Sequence, residues 1–109
     1  MLADHPVIYY RLDEGSGSVA ADSSGNHNDG TYSSGAAFGT SGAPINDPDT
    51  AITNPSGAFY QVPMVTQSGA NLAAGSSART LEMWYRSTNP SQAWLMLYGD
   101  AAGTHYFGL

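Results

Sequence analysis

Two carboxylates stand side by side at Asp13-Glu14. A carboxylate pair can cleave a glycosidic bond when the two groups flank it at roughly 5 Å or more. Neighbours on a strand point to opposite faces, so Asp13 and Glu14 cannot share one bond. The one other glutamate is Glu82. The pair is expected to be structural, with Asp13 capping the following loop and Glu14 solvated or paired with an arginine. A denser set of oxygens runs from Asp22 to Asp29. Asp22, Ser24, Asn26 and Asn28 alternate there, as at the start of a calcium loop, but Ser33 stands where such a loop places its bidentate glutamate. Asp47 and Asp49 form a second pair suited to a hard cation. The competing reading is a loop of Asx turns that satisfies its own backbone. The sequence demands no cofactor, and calcium is the ion these residues would admit.

Other chemistry finds little support. His5, His27 and His105 lack the spacing of a zinc site. Cysteine is absent, which excludes disulfides and thiolate ligands. There is no nucleophile elbow and no phosphate-binding glycine loop. The side chains best suited to binding are aromatic. Tyr9, Trp84, Tyr85, Trp94 and Tyr98 offer flat apolar faces of the kind that stack on sugars. In a small domain most such rings belong to the core, so Trp84 and Trp94 have two possible places. Arg11 and Arg86 are expected to pair with carboxylates across strands.

These residues need elements to hold them, and the elements read as strands. From Ala78 to Asn89 the chain alternates, with Leu81, Met83 and Tyr85 on one side and Thr80, Glu82, Trp84 and Arg86 on the other. Val7 to Leu12 alternates likewise, with Ile8, Tyr10 and Leu12 on one side. Ala93 to Tyr98 is apolar throughout, as in a strand covered on both faces. Shorter strands are predicted at 30–33, 50–53, 59–62 and 105–109. Turn-forming residues separate these runs, and helical periodicity is hard to find. The pattern predicts an all-β fold of antiparallel strands in a sandwich, one domain over residues 1–109.

Charge narrows the partners. Nine acidic residues against three arginines give a formal charge of −6 among 109 residues. So acidic a chain, with no basic run, does not suit nucleic acid. It is also repelled by an anionic membrane surface, and no apolar stretch is long enough for a spanning helix. The opening Met-Leu-Ala-Asp-His-Pro has neither the basic nor the apolar region of a secretory signal.

Five ordered segments resemble a known family. They are Tyr9 to Gly17, Ala21 to Tyr32, Asp47-Pro48-Asp49-Thr50-Ala51 with Gly42-Ala43 ahead of it, Tyr60-Gln61-Val62-Pro63, and Thr80-Leu81-Glu82-Met83-Trp84. Together they resemble the laminin-G-like domains, whose fold is the concanavalin A-like jelly roll. The resemblance spans about Pro6 to Arg86. It implies a longer domain whose closing strands lie beyond Leu109. Thr53-Asn54-Pro55-Ser56-Gly57 departs from the Phe-Asp-Gly usual in the family. Related jelly-roll glucanases carry Glu-x-Asp-x-x-Glu on one strand face, and this chain does not. An Asp-x-Pro-Val-x-Tyr strand right after the first Met further resembles minor tail proteins of phages that infect actinobacteria. That implies a non-catalytic virion module docked on other tail subunits in an oligomeric assembly, with host cell-surface glycan as a further contact. The alternative is a calcium-assisted carbohydrate-binding module of a secreted bacterial protein.

Overall fold

The structure is a computed structural model. It describes residues 2–42, 46, 48–53, 65–73, 77–86, 97–99 and 106–108, the last two stretches as backbone. Among the described residues there is no α-helix, only a single 3₁₀ turn at Leu2–Asp4. Seven strands follow: β1 (Val19–Ala20), β2 (Gly30–Tyr32), β3 (Ala37–Ser41), β4 (Thr50–Thr53), β5 (Val65–Thr66), β6 (Leu97–Gly99) and β7 (Tyr106–Gly108). All pairings among the described residues are antiparallel. The fold is all-β.

The largest described sheet, of three strands, is β1-β2-β5. Period two governs β2, where Gly30 and Tyr32 are buried and Thr31 between them is exposed. Thr31 lies opposite Val19 on one side and Thr66 on the other. Gly30 sits where a side chain has no room. A Cβ there would lie 2.5 Å from Val65 Cγ1 and 3.1 Å from the Tyr10 hydroxyl. A second ladder joins β3 to β4, with a register shift between Ala37 and Thr40. Gly39, at φ 75°, supplies the left-handed backbone inside that irregular stretch. A third ladder, β6-β7, pairs Leu97 with Gly108 and Gly99 with Tyr106.

The described core draws residues from both of the first two ladders. Ala20, Tyr32 and Ile52 are buried, with Tyr10, Leu12, Ala36, Phe38 and Val65 packed around them. The Tyr32 and Phe38 rings meet edge to face, centroids 5.0 Å apart at 87°. The two residues belong to β2 and β3, so this contact ties one ladder to the other.

Several sequence expectations are corrected. Val7 to Leu12 is not a continuous strand, since only Tyr10 bridges, to Asp22. The neighbouring backbone bonds elsewhere: the Tyr9 N–H donates to Asp22 Oδ1 at 2.9 Å. Leu12 then turns to φ 62°, which ends any extended run. Alternation still shows in the packing, because Tyr10 and Leu12 reach the core while Arg11 is exposed. Residues 78–86 form no strand either, and no described strand is laddered to them. At 30–33 and 50–53 the expected strands are present as β2 and β4. The C-terminal expectation at 105–109 corresponds to β7. Of the run 93–98, only its end falls in β6, and 93–96 lie outside the described residues, as do 59–62. Three strands have no counterpart in the sequence reading. They are β1, β3 and β5, two of them only two residues long, too short for a local period.

Candidate functional site

The oxygen-rich loop is a clasp that ties the N-terminal segment down. Asp22 Oδ1 accepts from the Tyr9 and Ser24 N–H groups, each at 2.9 Å. Oδ2 accepts from the Ser24 hydroxyl at 2.7 Å and from the Asn28 N–H at 2.9 Å. Burial pushes this carboxyl upward, but the four donors outweigh it and hold its pKa at about 2. The loop's amides complete the clasp. Asn26 Nδ2 donates to the carbonyls of Pro6 and Val7 at 3.1 Å, and Asn28 Nδ2 donates to Val7 O at 2.9 Å. The Asp22 N–H donates to Asp29 Oδ1 at 2.8 Å. Above the loop, the Tyr10 hydroxyl donates to Asn28 O at 2.7 Å. Burial, together with the charges of Asp22 and Asp29, pushes that phenol up to about 12.

This arrangement does not fit the calcium reading. A hard cation takes oxygen lone pairs, those of carboxylates most strongly. Those of Asp22 already face N–H and O–H donors. The amide groups of Asn26 and Asn28 donate to backbone carbonyls. Asp49 is elsewhere, on the Arg11 guanidinium, which also lies 3.1 Å from Asp13 Oδ2. The bond to Asp49 and the Asp13 and Asp49 charges raise the Arg11 pKa further. Asp47 lies outside the described residues. Among the described residues no three acidic or histidine side chains gather for a metal. Asp22, Asn26 and Asn28 are brought together, but by the backbone they hold.

The Asp13-Glu14 pair divides its work in the reverse of the expected way. Glu14 is the capping residue: Oε1 accepts the Ala21 N–H at 2.8 Å, and Oε2 accepts the Tyr32 hydroxyl. Asp13 is the one paired with an arginine. Burial acts to raise Glu14, but the two bonds prevail and leave its pKa below the ordinary value. Burial and the Glu14 carboxylate push the Tyr32 phenol well upward. Glu14 and Asp22 are thus both ionised at neutral pH, and neither keeps a proton to donate. No local signal pointed to the Glu14–Tyr32 contact, because its partners are 18 residues apart.

The aromatic candidates separate. Trp84 is 73% exposed and Tyr85 57%, with Met83 beside them at 39%. Leu81 is half-buried, so this stretch turns its large side chains outward from residue 82 on. Tyr9 is half-buried, its backbone held by Asp22 and by Ser23, whose N–H donates to Tyr9 O at 2.8 Å. Tyr98 belongs to β6, described as backbone only, and Trp94 lies outside the described residues. Among the described residues, the most exposed aromatics are therefore Trp84 and Tyr85, neighbours in sequence between Glu82 and Arg86. No family model, curated protein or solved structure matches the chain.

Proposed function

We propose that this chain is a non-catalytic structural and adhesion module of a phage minor tail protein, built as a concanavalin A-like jelly roll of the laminin-G-like kind. It docks on other tail subunits and touches host cell-surface glycan. The observation that carries the binding reading is the exposure of the adjacent Trp84 and Tyr85. An indole left mostly in water by a chain that buries Tyr32 is surface kept for a partner. The antiparallel all-β architecture and the five family-like segments support the fold. The carboxylates agree with a non-catalytic role, since Asp22 and Glu14 are engaged in fastening loops.

Retention of the protein on immobilised cell-wall glycan tests the binding reading. Trp84→Ala is expected to abolish retention while leaving the unfolding free energy within about 0.5 kcal/mol of the native chain, as for an exposed site. Undiminished retention by the variant overturns the assignment to Trp84, and no retention of the native chain on any host glycan overturns adhesion. Mass spectrometry of purified tails tests the virion assignment, which fails if the chain is absent from them.

A further inference from the structure

Residues 80–86 read Thr-Leu-Glu-Met-Trp-Tyr-Arg, a sequence whose two charges stand symmetrically about Trp84. The segment has the alternation of a strand, its side chains from Glu82 to Arg86 are exposed, and no described strand is laddered to it. A segment of strand-like sequence with outward aromatics, laddered to no described strand, is a template for pairing with another segment.

Self-pairing satisfies the charges in one arrangement. Two copies laid antiparallel about a twofold axis at Trp84 set Glu82 against Arg86 of the partner subunit, and Arg86 against the partner's Glu82. Met83 then meets Tyr85 of the partner subunit, and the two Trp84 residues lie opposite each other. Centring the axis on residue 82 sets glutamate against glutamate, and centring it on 86 sets arginine against arginine. A parallel in-register pairing places like beside like throughout. Opposite charges facing across strands stabilise a ladder, and like charges weaken it. An isologous contact of this kind closes on itself as a dimer.

We propose that residues 80–86 are a dimerisation segment that pairs as a strand with the same segment of a second copy of this chain. On the strand's period, Glu82, Trp84 and Arg86 share a face, so the dimer carries both indoles on one surface. This goes beyond the adhesion reading and does not depend on it, because association is measured without glycan.

Sedimentation equilibrium of the full chain, from micromolar to millimolar concentration, tests the proposal. The native chain is expected to form a dimer. Glu82→Arg sets the introduced arginine against the partner's Arg86, and Arg86→Glu sets two glutamates face to face. Each single variant should dimerise about tenfold more weakly or worse, with unchanged circular dichroism. An equimolar mixture of the two single variants should associate again, since every facing pair is then opposite in charge. The double variant carrying both substitutions should also dimerise. Because the chain has no cysteine, Trp84→Cys should cross-link to itself on oxidation, as residues facing across the axis are within disulfide reach. A native chain that stays monomeric throughout overturns the proposal and leaves the segment to a foreign partner. So do single variants that dimerise as well as the native chain, or a mixture that fails to recover.

Discussion

Asp22 is a fastener of loop backbone. Its carboxylate receives three N–H groups and a hydroxyl, and through Tyr9 it anchors a segment 13 residues away. Asp22→Asn replaces one acceptor oxygen by an NH₂ that faces donors. The expected cost at pH 7 is about 2 kcal/mol, read as a lower urea midpoint. The pH dependence follows from the direction of the shift. A pKa lowered from 3.8 to about 2 on folding gives stability that is complete above the unfolded value and lost as pH falls through the folded one. Glu14, also lowered, acts in the same sense. Denaturant midpoints of the native chain and Asp22→Asn should therefore converge between about pH 4 and pH 2. Parallel curves across that window would show that Asp22 is not the titrating fastener.

Among the elements, the tightest constraint falls on β2. Gly30 admits the Val65 side chain from β5 and the Tyr10 ring from the N-terminal segment into the space its own side chain would fill. Gly30→Ala puts a methyl carbon 2.5 Å from Val65 Cγ1, a separation that real contacts do not reach. It is expected to destabilise by about 1–3 kcal/mol, as overpacking does. Adding Val65→Ala removes the clashing methyl, so the pair should cost less than the sum of the single changes. A double-mutant cycle in urea checks this, and simple additivity would refute the contact. How much of this level the sequence made legible depends on length. β2 and β4 carry recognisable runs, Gly30-Thr31-Tyr32 and Thr50-Ala51-Ile52-Thr53. β1 and β5, at two residues each, exist because β2 lies between them. The run from Val7 to Leu12 fails as a strand for the converse reason: a side chain, Asp22, takes the Tyr9 N–H that a ladder would have used.

For the whole molecule, the arrangement of apolar surface matters more than its amount. The described core joins two small ladders through Tyr32, Phe38 and Ile52, while Met83, Trp84 and Tyr85 stay outside it. If a second copy covers that stretch, folding and association are linked by mass action. The melting temperature should then rise with protein concentration in the native chain and stay flat in Glu82→Arg. Scanning calorimetry over a hundredfold dilution checks this, and a native melting temperature independent of concentration contradicts it.

Local patterns were enough to establish the all-β class, the polar turns and the Asx-rich character of residues 22–29. These follow from alternation, from residues that bond their own backbone, and from steric preferences, all acting within a few positions of the chain. The same level of reading marked Arg11 for an ion pair, without naming Asp49. Folding in three dimensions was needed to make Glu14 rather than Asp13 the cap of its loop, to set Asp22 on backbone rather than a cation, and to leave Trp84 facing water. The first two turn on groups brought together from 7 to 18 residues apart, and the third on whether a neighbour covers a ring. A hydrogen-bond acceptor takes whichever donor folding delivers, and local sequence carries no record of that delivery.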